Sequence, residues 1–172
     1  HIVEFRGFER FVQGHPYWEA PLLVQRLCGI CPVSHHLAAA KAIDQIYGAD
    51  PEDLHPTATK IRQLLHYAQV FQSHALHLLY LASPDLLLGL DAPVEKRSVN
   101  AVALEYQDLA RKGIQMRQFG QELIKALAGK KIHGICAIPG GVHKTFYPDE
   151  REYFLVENDT PSVDTMIKWS RE

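Results

Sequence analysis

Two cysteines three positions apart form the most reactive pair of side chains in the sequence. Cys28 and Cys31 enclose Gly29 and Ile30, and a glycine at this point lets the backbone turn tightly enough for both sulfurs to face one ion. Soft thiolate ligands suit zinc, iron and nickel. A Cys-x-x-Cys pair by itself indicates only a metal site or a redox dithiol.

A redox dithiol is the first interpretation of this pair. The positive end of a helix dipole lowers the pKa of a nearby thiol and activates it. Such motifs lie near a strand–helix–strand unit, but residues 18–27 have the composition of a helix entered through Pro21. No parallel-sheet pattern follows, so the sequence disfavours a redox dithiol.

A structural zinc site is the second interpretation. His133 and Cys136 would complete a tetrahedral set with Cys28 and Cys31, and this ligand combination is typical of structural zinc. The two halves are about a hundred residues apart in a helical context, whereas zinc ligands normally cluster more closely in sequence. A small helical zinc-binding module therefore remains the alternative hypothesis.

The whole run around the cysteines carries a third interpretation. Arg26-Leu27-Cys28-Gly29-Ile30-Cys31-Pro32-Val33-Ser34-His35 closely resembles the N-terminal metal-binding motif of nickel-iron hydrogenase large subunits. Three further segments match that family in the same order: Phe5-Arg6-Gly7-Phe8-Glu9, then His74-x-x-His77 with Asp85, then His133 with Pro139-Gly140-Gly141-Val142. Glu9 also lies 19 positions before Cys28, as the family requires.

Two details point to a subgroup of that family. The segment from Gln13 to Pro21 and the Pro-Val-Ser-His-His form of the cysteine motif resemble the soluble, bidirectional enzymes that exchange electrons with NAD. The resemblance implies a cytoplasmic location, a small subunit with an iron-sulfur cluster, and diaphorase subunits with flavin and NAD. The implied activity is reversible cleavage of H2 to protons and electrons.

The resemblance also implies roles for the residues of the motif. Cys28 would be a terminal nickel ligand, Cys31 would bridge nickel and iron, and the iron would carry carbon monoxide and cyanide. His35 would donate a hydrogen bond to a bridging sulfur, a contact of the kind that tunes a metal. Outside this motif, a histidine on a helix is more often a structural group.

Residues of the other matched segments receive implied roles too. Glu9 would bind Mg2+, since a carboxylate oxygen suits a hard cation, although it could equally be a surface glutamate. Asp85 would hold an active-site arginine supplied by chain outside these residues, or cap a turn. Four residues would face the small subunit, or serve an ordinary loop or ion pair: Arg26, His133, Gly140 and Gly141.

The remaining histidines and the third cysteine are expected to be structural. His74 and His77 share a helix face with apolar neighbours, which predicts buried, hydrogen-bonded core histidines. His36 has no counterpart in the motif. Cys136 has none either and is predicted to be a buried small residue.

Helical segments are predicted to position these residues. The first residues, His-Ile-Val-Glu-Phe, indicate a short strand, and residues 8–17 indicate a loop with Gly14 and Pro16. The cysteine pair then lies at a junction between two helices. The predicted helices are 18–27, 33–47 ended by Gly48, 56–82, two across 94–127 closed by Gly129, 149–157 and 162–172, with 131–142 irregular.

The composition fits a mainly α fold in one domain. The chain has 172 residues, 47% of them hydrophobic, which suffices for a single core. A net charge of -2 with scattered Lys and Arg argues against nucleic acid, and no apolar stretch reaches membrane-spanning length. An odd number of cysteines with one close pair fits a reducing cytoplasm better than a disulfide framework.

Both ends look truncated, so we expect a single-domain fragment, residues 1–172, of a longer large subunit. The family's second cysteine pair, in an Asp-Pro-Cys-x-x-Cys-x-x-His segment, is absent from these residues, and so is its Arg-Ile-Glu-Gly-His segment. Half of the nickel thiolates are therefore missing. We expect the 172 residues alone to be inactive.

Overall fold

A computed structural model describes residues 6–49 and 53–172, and this part of the chain is mainly helical. It contains nine α-helices: α1 Arg6–Val12, α2 Ala20–Val24, α3 Pro32–Tyr47, α4 Pro56–Leu76, α5 Ser83–Leu88, α6 Val99–Glu105, α7 Gln107–Ala128, α8 Pro148–Leu155 and α9 Val163–Arg171. A two-stranded antiparallel hairpin pairs β1 Ala137–Ile138 with β2 Gly141–Val142. The predicted mainly α fold is confirmed, while the strand predicted at the N-terminus lies outside the described residues.

The chain divides into two compact units. The first takes in the described residues up to Gln69 together with residues 124–146, and the second takes in 70–123 and 147–172. Helices α4 and α7 each contribute to both units. The single-domain fragment expected from the sequence stays a prediction.

Helix α3 is the central helix of the first unit, and its bounds follow from its terminal residues. It begins at Pro32, where a missing N–H costs nothing because the first amides of a helix have no intrahelical acceptor. It ends at Gly48, which adopts a left-handed conformation with φ 82°. Its buried apolar residues recur at helical spacing: Val33, Leu37, Ala40 and Ile43.

The segment before the cysteines is helical in two short pieces. Residues 6–12, placed partly in a predicted loop, form α1, in which Arg6 and Glu9 pair at 3.7 Å. Gly14 has φ 83°, so the breakers Gly14 and Pro16 act after the helix and not within it. Helix α2 is flanked by tight single turns at Tyr17–Glu19 and Gln25–Leu27, which confirms helical structure over residues 18–27.

The second unit is built around aromatic packing. Phe119 of α7 meets Phe71 of α4 and Phe154 of α8 edge to face, with ring centroids 6.0 Å and 5.6 Å apart. The predicted helix 56–82 is present as α4 and a five-residue π-helical turn, His77–Leu81. Helix α6 starts at Val99, later than predicted, because the Ser98 hydroxyl caps it by accepting from the Ala101 amide at 3.3 Å.

Residues 131–142 were predicted to be irregular, but their last part forms the β1–β2 hairpin. Gly140 makes the tight turn with φ 78°, where a side chain would be strained. The pattern was missed because strands of two residues are too short to show alternation. Within the described residues, no helix is both long and apolar enough to cross a membrane.

Candidate metal centre

Cys28, Cys31 and His35 converge at the start of α3. Their ligand atoms all lie within 4.8 Å of one another, and all three residues are half-buried. Two sulfurs bound to one ion at about 2.3 Å each are at most about 4.6 Å apart, so this spacing suits a shared metal. Among the described residues this is the one group of three or more His, Cys, Asp or Glu side chains so arranged.

The local backbone explains how the pair forms. Cys28 follows the turn Gln25–Leu27 in an extended conformation, and Cys31 caps the N-terminus of α3. The Cys28 sulfur accepts hydrogen bonds from the amides of Ile30 at 3.4 Å and Cys31 at 3.1 Å. The predicted junction between two helices is thus confirmed, and the loop folds its second and third amides towards the first sulfur.

The two thiols differ in acidity. Burial by itself raises the pKa of Cys28, but hydrogen bonds from the Cys31 side chain and from the amides of Cys31 and Ile30 outweigh it and lower that pKa overall. Burial, followed by the hydrogen bond and charge of Cys28, raises the pKa of Cys31 to about 11. One sulfur therefore ionises readily while the other keeps its proton until a metal displaces it.

Two distant side chains hold the backbone of this loop. The His133 ring donates through Nε2–H to the Cys28 carbonyl at 3.2 Å, and His133 itself has a left-handed backbone with φ 55°. The Gln69 amide donates through Nε2 to the Ile30 carbonyl at 2.9 Å. Gln69 was missed at the sequence level, although a glutamine within the apolar stripe of α4 was a usable signal.

A buried ion pair fastens the hairpin that carries the Gly140-Gly141 turn. The Arg62 guanidinium pairs with the Asp44 carboxylate and donates to the carbonyls of Ile138 at 2.8 Å and Gly141 at 2.8 Å. The second Asp44 oxygen accepts from the Gly140 amide at 2.8 Å. Each charge is neutralised and hydrogen-bonded, as buried charges require. Sequence reasoning missed both residues because their partners are far away in the chain.

His36 links the same hairpin to α2. Its Nε2 accepts from the amides of Cys136 at 3.2 Å and Ala137 at 3.0 Å, so Nδ1 carries the proton and donates to the Pro21 carbonyl at 3.0 Å. Burial lowers the pKa of His36, which the Pro21 hydrogen bond opposes and the charge of Arg62 reinforces. The structural role predicted for His36 is confirmed.

The alternative zinc set is not assembled. Cys136 is fully buried, and burial raises its pKa to about 11. Neither Cys136 nor His133 belongs to the group formed by Cys28 and Cys31 in the described part of the chain. Cys136 is a buried small residue, as predicted.

The other residues given roles by sequence lie apart from that group or in the second unit. Glu9 is exposed on α1 beside Arg6, and Arg26 is exposed and donates to the Leu22 carbonyl. Asp85 belongs to α5 of the second unit and pairs with Arg97 at 3.4 Å. The magnesium, interface and arginine-holding roles stay predictions.

The expectation that His74 and His77 are buried is wrong. Both are exposed in the structure. The buried stripe of α4 passes through Ala68 and Ala75, whereas His74 lies one turn after the exposed Val70, whose carbonyl it contacts at 2.8 Å. The apolar neighbours used in the prediction are themselves exposed.

Comparison with known proteins decides the family. A profile described as nickel-dependent hydrogenase matches residues 6–92, which include the cysteine pair. The chain belongs to the nickel-dependent hydrogenase family. This confirms the resemblance inferred from the ordered motifs.

The hydrogenase relatives include an NAD-reducing enzyme. The chain is 49% identical to NAD-reducing hydrogenase HoxS subunit beta of Cupriavidus necator, over 100% of this chain and 36% of that protein. It is 42% identical to the vhu F420-non-reducing hydrogenase of Methanococcus voltae, over 100% of this chain and 39% of that protein. The chain therefore spans a little over a third of the length of these relatives.

Solved hydrogenase structures share the fold. A crystal structure of an NAD+-reducing NiFe-hydrogenase in the H2-reduced state matches with 62% identity and a TM-score of 0.82, over 89% of this chain and 34% of that one. The NiFeSe hydrogenase from Desulfomicrobium baculatum matches with 26% identity and a TM-score of 0.68, over 83% and 32%. The soft donors Cys28 and Cys31 fit the nickel that the family name implies.

Proposed function

We propose that this chain is the N-terminal part of the catalytic subunit of a nickel-iron hydrogenase, which interconverts H2 with two protons and two electrons. The convergence of Cys28, Cys31 and His35 on the family motif carries this proposal. A bound nickel-iron centre, with carbon monoxide and cyanide on its iron, would supply the redox metals at which H2 is split. The chain's own residues hold and tune that centre.

Each of the three side chains has a distinct task. Cys28, whose pKa is lowered, ionises first and serves as a terminal nickel ligand. Cys31 loses its proton on metal binding and bridges nickel to iron. His35 lies one helical turn after Cys31 with its ring nitrogen near both sulfurs, from where it donates a hydrogen bond that moderates the basicity of the bridging sulfur.

The proposed electron path leaves through other subunits. Similarity to one subunit of an NAD-reducing hydrogenase supports an iron-sulfur small subunit, diaphorase subunits with flavin, NAD as the electron acceptor and a cytoplasmic location. Arg26, His133 and the Gly140-Gly141 turn would face the small subunit. Glu9 would bind Mg2+, and Asp85 would hold an arginine supplied by another part of the subunit.

Cysteine substitutions in the full-length subunit, purified with its partners, test the proposal. Cys28→Ser and Cys31→Ser should each remove nickel and abolish H2-dependent NAD reduction, because a hard hydroxyl is a poor nickel ligand. Cys136→Ser is the matched control, since that thiol is buried outside the group. Loss of metal in the Cys136 variant alone would favour the zinc site instead.

The isolated 172 residues provide a complementary test. They bring two thiolates together, and the third cysteine is not among the grouped ligands. We expect the purified chain to retain no nickel-iron centre and to reduce no dye under hydrogen. Stoichiometric nickel and iron with dye reduction would contradict this expectation.

A further inference from the structure

The loop between the two cysteines has little packing of its own. Gly29 and Ile30 are exposed, and a Cβ added at Gly29 would meet nothing within 4 Å. Core packing therefore does not define the loop backbone. Its conformation depends on the hydrogen bonds that its peptide groups make.

One peptide group in this loop is hydrogen-bonded at both ends. The carbonyl of Ile30 accepts from Gln69 Nε2 at 2.9 Å, and the amide of Cys31, which belongs to the same planar unit, donates to the Cys28 sulfur at 3.1 Å. Because the unit is planar, rotation that breaks one bond also misdirects the other. The side chain of Gln69 thus fixes the direction of the N–H that faces the Cys28 sulfur.

Gln69 is itself held in place. It is 3% exposed and lies on α4 among the buried residues of the first unit. A buried amide has few alternative orientations, and a donor fixed in this way polarises the peptide it contacts, which strengthens the next hydrogen bond in the chain. The second clamp, His133 on the Cys28 carbonyl, holds the other end of the loop.

We propose that Gln69 is a positioning residue of the metal centre, which acts through the Ile30–Cys31 peptide to hold a hydrogen bond on the Cys28 sulfur. The inference rests on the proposed function, in which Cys28 binds nickel. Hydrogen bonds to a metal-bound sulfur tune the electronic state of the metal, and the groups that orient ligands influence metal affinity.

The experiment uses the full-length protein with its partners and compares two glutamines of α4. Gln69→Met removes the donor while keeping an unbranched chain of similar length. Gln72→Met is the matched control, because Gln72 is also 3% exposed but contacts Arg117 in the second unit. Gln69→Leu serves as a second variant if the methionine variant does not fold. The readouts are the electron paramagnetic resonance spectrum of the bound nickel and the amount of nickel per protein molecule.

Both Gln69 variants should lower nickel retention under chelator challenge about 10-fold and shift the nickel spectrum, while Gln72→Met leaves both unchanged. A native spectrum and native retention in a folded Gln69 variant would overturn the inference, even if that variant melts earlier. Equal changes in the Gln72 variant would also overturn it. Cys28→Ser separates this failure from that of the proposed function: if Cys28→Ser keeps nickel, the nickel role of Cys28 is itself wrong.

Discussion

The two units of the chain are stabilised by different kinds of side chain. The first buries polar and charged groups whose hydrogen bonds reach across the sequence: Gln25, His36, Asp44, Arg62 and Gln69. The second is centred on Phe71, Phe119 and Phe154, which pack edge to face. Apolar packing tolerates substitutions that conserve volume, whereas a buried polar network depends on each partner.

This difference matches the distribution of the candidate chemistry. The loop with Cys28 and Cys31 and the hairpin with Gly140 and Gly141 both lie in the first unit, where directional bonds set the positions of main-chain atoms. A metal site needs ligands held to within fractions of an ångström. We therefore expect changes in the first unit to alter the metal and changes in the second to alter stability alone.

The largest expected effect follows from removing Arg62. Arg62→Met leaves the Asp44 carboxylate buried without its partner, which should cost about 3–5 kcal/mol of the free energy of unfolding. Denaturant unfolding of the full-length subunit measures this loss. The double variant Arg62→Met with Asp44→Leu should recover part of it, and a double variant no more stable than the single one would contradict the ion-pair explanation.

A smaller effect is expected from the aromatic cluster. Phe119→Leu removes two edge-to-face contacts, each worth about 0.5–1.5 kcal/mol, so the unfolding free energy should fall by about 1–3 kcal/mol. Nickel content and the nickel spectrum should stay native. Loss of nickel from a folded Phe119→Leu protein would break the contrast between the units.

Acid should weaken the first unit through His36. Its pKa is lowered in the folded chain, so the unfolded chain binds a proton first, and stability present above the ordinary histidine pKa of about 6.5 is lost as the pH falls below it. The slope is at most about 1.4 kcal/mol per pH unit for one proton. Urea midpoints measured from pH 7.5 to 5 should fall less steeply in His36→Gln; an unchanged slope would contradict this account.

The smallest effect is expected at Glu9. Its side chain is exposed and its contact with Arg6 is a surface ion pair, so Glu9→Gln should change stability by less than about 0.5 kcal/mol. Magnesium retained by the full-length subunit, measured by elemental analysis, should nevertheless fall. Unchanged magnesium would leave Glu9 as a surface residue.

The sequence was most informative where local signals act. Pro32 and Gly48 delimit α3 because one lacks an amide hydrogen and the other tolerates positive φ, and the spacing of Cys28, Cys31 and His35 on a helix start predicted their convergence. The resemblance to the hydrogenase family rested on ordered motifs, and family comparison confirmed it. These features depend on a few neighbouring residues.

Long-range contacts were the features that the sequence did not reveal. Arg62 and Gly141 are 79 positions apart, and Gln69 and Ile30 are 39 apart, so neither pair leaves a periodic signal. A buried Asp44 or Gln69 also resembles an ordinary solvent-facing residue until its partner is known. His74 and His77 show the reverse error, since apolar neighbours suggested a buried face that is exposed.

Anomalous diffraction at the nickel absorption edge, on crystals of the assembled full-length enzyme, tests the central claim most directly. The account predicts a nickel peak at bonding distance, about 2.3 Å as for other metal–thiolate bonds, from the sulfurs of both Cys28 and Cys31. A nickel peak bonded to neither sulfur, or an intact Cys28–Cys31 disulfide beside nickel held elsewhere, would contradict it.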